Sequence, residues 1–170
     1  MKNILFSFAL CLAAVTGSWA QHDHSQHKEQ GSQSTTPVFK DAAVGKAYAL
    51  YIQLKDVLVA SKQDEAKKIS GELQKSLLGI SRGKAAAKEA GTIAYATTLA
   101  DQRKAFSVLS TEMLSLIKTN TLTSGELYLE YCPMANNNEG AYWLSNEKEI
   151  KNPYFGESML KCGVVKDTIQ

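Results

Sequence analysis

Residues 44–58 read V-G-K-A-Y-A-L-Y-I-Q-L-K-D-V-L, and Val44, Ala47, Tyr51, Leu54, Val57 and Leu58 recur at steps of three and four. That spacing puts them on one face of an α-helix, so a buried helical stripe organises this part of the chain. Thr36 followed by Pro37 has the form of an N-cap and first helical residue, which predicts a helix from there to about Ala60.

The periodicity repeats downstream. Ala66, Ile69, Leu73, Leu77 and Ile80 predict a second helix, with Ser61 and Asp64 as a capping-box variant at its start. After a polar, glycine-punctuated connection at 82–91, with some helical character of its own, Ile93, Ala96, Leu99, Phe106, Leu109, Met113, Leu116 and Ile117 predict a third and longer one. Met113 lies on this stripe and reads as core, not as a metal ligand. Short connections make consecutive helices antiparallel neighbours. The expected fold is therefore mainly α, an antiparallel bundle of three or four helices.

Past Asn120 the period changes. Leu127, Leu129 and Tyr131 alternate with Tyr128, Glu130 and Cys132, the pattern of a short strand or extended arm that Pro133 stops. Turn formers follow at Asn136, Asn137, Asn138, Gly140, Asn152, Pro153 and Gly156, interleaved with Tyr142, Trp143, Tyr154 and Phe155. So much aromatic area packs down. An irregular, turn-rich cap over 126–163 is expected, within a single domain spanning 36–170. The asparagine run does not place carboxylates and glycine at calcium-loop spacing.

The N-terminus sets the compartment. Lys2, the apolar run Ile4 to Val15 and the small-x-small ending Ser18-Trp19-Ala20 predict an export signal over 1–20, cleaved after Ala20. Cys11, preceded by Leu10, reads as an ordinary apolar residue of that signal. No later stretch has the roughly twenty apolar residues of a membrane span. A periplasmic or secreted protein is expected. The formal net charge of +2 falls to +1 without Lys2, too little basic character to bind nucleic acid.

Residues 21–35 contain no apolar side chain to offset the entropy of ordering and are expected to be disordered. They hold every histidine of the protein, His22, His24 and His27, donors for weak binding of Cu(II), Ni(II) or Zn(II). Deleting 21–35 is expected to change folding stability by no more than about 0.5 kcal/mol, the range usual at unengaged surface. It should also remove a divalent-metal site that fades as pH falls through about 6.5, where imidazole protonates. Isothermal titration at two pH values and a thermal melt check both halves.

Without the signal, Cys132 and Cys162 are the remaining thiols, each with a methionine nearby: Met134 two residues after the first, Met159 three before the second. In an oxidising compartment two cysteines pair most simply as a disulfide. Thiolate and thioether together equally suit Cu(I), and a three-residue step puts Met159 and Cys162 on one face of a helical turn that Gly163 would end. Both alternatives stand at the level of sequence.

The run Y-C-P-M-A-N-N-N-E-G-A-Y-W-L-S-N-E-K-E-I-K-N-P-Y-F-G-E-S-M-L-K-C-G, Tyr131 to Gly163, resembles an uncharacterised domain family found as small secreted proteins and attached to CusB-like adaptor subunits of heavy-metal efflux systems. The helical part, 38–118, is similar to it only in length and pattern. The resemblance implies a helical periplasmic module in a copper or heavy-metal setting, with an efflux adaptor or another envelope protein as partner. It implies no activity. The residues also argue against an enzyme: the folded part has no histidine for a nucleophile–base pair, no Cys-x-x-Cys and no glycine-rich phosphate loop, and Glu126 and Glu130 read as surface charges. The expected function is a copper-binding accessory with Cys132, Met134, Met159 and Cys162 as ligands. The competing expectation is an interaction module clamped by a Cys132–Cys162 disulfide.

Overall fold

A computed structural model describes residues 36–170; the signal and the histidine tail expected at 1–35 lie outside the described residues. Among the described residues, four long helices, α1 (Ala42–Val59), α2 (Gln63–Leu78), α3 (Lys84–Tyr95) and α4 (Leu99–Lys118), make the fold mainly α. Each packs on the next in sequence, and α1 also meets α4. The predicted stripes are the buried ones: Val44, Ala47, Tyr51, Leu54 and Leu58 in α1, Leu73 and Leu77 in α2, and Phe106, Leu109, Met113 and Ile117 in α4.

Three local expectations are corrected. The first helix does not begin at Thr36–Pro37. Val38–Phe39 form β1, which pairs antiparallel with β2 (Leu122–Ser124), and α1 starts after Asp41, whose carboxylate accepts from the Ala43 N–H at 2.8 Å. Phe39 instead anchors the entry, its ring 5.3 Å from that of Tyr48. Ser61 does not cap α2 either. It sits at φ +58 and its hydroxyl accepts from Arg103. Finally, the long third helix is two, because Thr98 is extended and caps α4, accepting from the Asp101 N–H at 3.1 Å while Ile93 belongs to α3.

The C-terminal third is more regular than a turn-rich cap. β3 (Leu127–Cys132), β4 (Ala141–Ser145) and β5 (Val164–Ile169) form an antiparallel sheet in the order β4-β3-β5. The register pairs Glu130 with Trp143 and Cys132 with Ala141 across β3–β4, and Tyr131 with Val164 across β3–β5. β4 docks on the helices through Tyr51 of α1, whose hydroxyl accepts from the Leu144 N–H at 3.0 Å and shares a 2.8 Å hydrogen bond with Ser110 of α4. β4 and β5 are the two edge strands, and β5 is the one on the side of β3 away from β4. Lys166 and Asp167 at its middle discourage pairing with another strand edge. Among the described residues no helix is long and apolar enough to cross a membrane.

Candidate functional site

Cys132 ends the central strand β3. It is 0% exposed, with Ala141 of β4 opposite it. Cys162 comes from the other side of the sheet, in a turn that follows a 3-10 helix at Gly156–Met159. The two sulfurs stand 3.2 Å apart as thiols, thirty positions apart in sequence. That approach is the centre of the site. The neighbouring Cys132 raises the pKa of the Cys162 thiol, burial adding to the effect, so Cys162 holds its proton more tightly than a lone thiol would.

Three features place Cys162. Its N–H donates to the Met159 carbonyl at 3.0 Å, and its own carbonyl accepts from the Asn152 side-chain amide at 2.7 Å. The third is Gly163, at φ +147, where a Cβ would lie 2.8 Å from Cη2 of the buried Trp143. Trp143 has no room to yield, since Tyr154 meets its ring edge-on at 5.8 Å. Gly163→Ala is therefore expected to cost about 2 kcal/mol, by overpacking and backbone strain, read from the urea midpoint. An unchanged midpoint would mean that this turn yields freely.

The methionines divide. Met159 is half-buried in the turn that carries Cys162. Met134 is 45% exposed and lines a surface groove with Arg103, Lys104 and Phe155, just before three asparagines, Asn136 to Asn138, that all take positive φ. Asparagine tolerates that left-handed conformation better than other residues with a side chain. Asn136 also anchors the turn, its amide donating to the Ser107 hydroxyl of α4 at 2.9 Å. Among the described residues, no three of His, Cys, Asp and Glu gather as a metal cluster.

Glu130 is not a surface charge. It is 0% exposed, and both its carboxylate oxygens lack a hydrogen-bond partner among the described residues. The Trp143 indole N–H faces it and favours the charged form without closing a well-aligned hydrogen bond. Burial pushes its pKa up to about 8, against the pull of Lys55. The strand alternation carried a signal for this, since Glu130 shares the face of Cys132. Asn152, read only as a turn former, is likewise buried and fully used in hydrogen bonding.

A family model described as a protein of unknown function, DUF3347, matches residues 47–125. No curated protein and no solved structure matches the chain. The DUF3347 match runs from α1 through β2, over the helices, whereas the resemblance seen in the sequence rested on 131–163. Its description names no efflux partner. The cysteine pair and its methionines stand on the sheet and loops that follow the DUF3347 span.

Proposed function

We propose that the protein is an envelope copper-binding accessory that captures or relays Cu(I) at Cys132 and Cys162. The carrying observation is the 3.2 Å approach of two thiols from distant parts of the chain. Soft sulfur donors select Cu(I) over hard cations. If each sulfur lay about 2.3 Å from the ion, the thiolate distance typical of zinc, sulfurs 3.2 Å apart would hold it in a bent arrangement. A bent pair leaves a side open for a third donor. Met159, on the turn of Cys162, is the assigned thioether, and Met134, at the neighbouring groove, is the entry ligand. Binding displaces thiol protons, so affinity rises with pH. The N-terminal leader, the histidine tail as a weak collector of divalent ions, and an efflux adaptor as recipient complete this reading.

The test is anaerobic titration of the reduced, tail-deleted protein with Cu(I) against a chromophoric chelator. The expected result is one ion per chain, bound more tightly than micromolar and lost in Cys132→Ser, Cys162→Ser. Binding no tighter than micromolar, or unchanged in the double variant, overturns the proposal.

The burial of Cys132 and the outward placement of Met134 favour a second reading, in which the pair closes as a disulfide and clamps the sheet for docking to an envelope partner. Mass spectrometry of protein from its native envelope separates the two. A quantitative disulfide stable to mild reductant favours the clamp, and full recovery of both thiols rejects it.

A further inference from the structure

We propose that Asn152 is the positioning residue of the cysteine pair, holding the Cys162 turn from inside and so setting the separation of the two sulfurs. This rests on reading Cys132 and Cys162 as the working site.

The two thiols are fixed by different means. Cys132 is held by strand pairing, with Ala141 opposite it in β4. Cys162 precedes β5, whose pairing with β3 begins only at Val164, and its N–H bond to Met159 stays within its own turn. Asn152 supplies the tie from outside. Its backbone N–H donates to the Leu160 carbonyl at 2.9 Å, and its side-chain amide donates to the Cys162 carbonyl at 2.7 Å, so one residue grips alternate carbonyls of the turn. The side-chain oxygen of Asn152 accepts from the Tyr154 N–H at 2.8 Å, and its backbone carbonyl accepts from the Gly156 N–H at 3.0 Å.

All the polar groups of a residue with 0% exposure are thus in use. The amide orientation is dictated, because the Cys162 carbonyl only accepts and the Tyr154 N–H only donates. The next residue ties this clasp to the helices, Arg103 of α4 donating to the Pro153 carbonyl at 2.9 Å. An oriented, preorganised pair has a high effective concentration of one thiol at the other, and releasing the Cys162 carbonyl lowers it.

The effect is read without metal. The protein is equilibrated with mixtures of oxidised and reduced glutathione, in which two protein thiols and one oxidised glutathione give the protein disulfide and two reduced glutathiones. The disulfide fraction yields the effective concentration. For Asn152→Ala and for Asn152→Ser the expected result is a fall of at least tenfold, equal to a potential about 30 mV less negative. The serine hydroxyl still serves the Tyr154 N–H but is too short for the Cys162 carbonyl. Should Asn152→Ala not fold, Asn152→Ser decides. Thr98→Ala, which removes the side-chain cap of α4 and none of the hydrogen bonds of Asn152, is expected to lower stability and leave the potential unchanged. Potentials within twofold of the parent in effective concentration, whatever the loss of thermal stability, overturn the proposal. So does an equal shift in Thr98→Ala. Failure to bind copper leaves this readout intact, so the two failures are distinguishable.

Discussion

Glu130→Gln is expected to be more stable than the parent protein by a few kcal/mol at pH 8.5 and to lose most of that advantage near pH 4.5. The carboxyl has a pKa of about 8 in the folded chain, against an ordinary value of 4.5. The folded state therefore holds a proton that the unfolded state has released. Stability due to this group is fully present below about 4.5 and is lost as pH rises through 8, with little further change above. At about 1.4 kcal/mol per pH unit over that window, the loss between pH 5 and 9 is about 4 kcal/mol.

The charged groups facing Glu130 oppose one another. Lys55 of α1 and Lys151 pull its pKa down, Glu147 pushes it up, and burial outweighs them all. Tyr48 and Tyr51 of α1 also feel its charge. Lys55 does not close an ion pair on Glu130, because its ammonium group is engaged with Asp56 at 2.8 Å. Glutamine keeps the shape and removes the ionisation. Urea unfolding of both proteins from pH 4.5 to 9 checks the claim, and a stability difference that does not vary with pH would contradict it.

Oxidation of the cysteine pair is expected to raise stability by about 3 to 4 kcal/mol, the loop-closure value for cysteines thirty positions apart. Little of this should be lost to strain, because the thiols already touch and the turn needs to close by only about 1 Å to reach bonding distance. Oxidised and reduced protein are compared by urea midpoint, with Cys132→Ser, Cys162→Ser as the reference that oxidation cannot change. An oxidised form no more than about 1 kcal/mol above the reduced one would mean that the native turn resists the bond.

The helices were legible because burial on one face writes a period of three and four into the sequence. The α3–α4 break was missed although Thr98 and Asp101 carry a cap signature, since Ala96 and Leu99 continue the apolar spacing across it. β3 was visible by alternation. β4 and β5 were not, because five or six residues between turn formers acquire strand character only when β3 lies beside them. The same limit applies to the site. Spacing along the chain brought Met159 and Cys162 to one turn, but the meeting of Cys132 with Cys162 depends on long-range register and on Asn152. Met134 was placed by a left-handed asparagine turn that has no periodic signature.

The most direct test of copper capture at the cysteine pair is X-ray absorption at the copper edge on the reduced protein loaded with one equivalent of Cu(I). The expected spectrum shows a first shell of two or three sulfur atoms and no nitrogen, and it disappears with the metal in Cys132→Ser, Cys162→Ser. A first shell dominated by nitrogen or oxygen, or a sulfur shell that survives replacement of both cysteines, would contradict it.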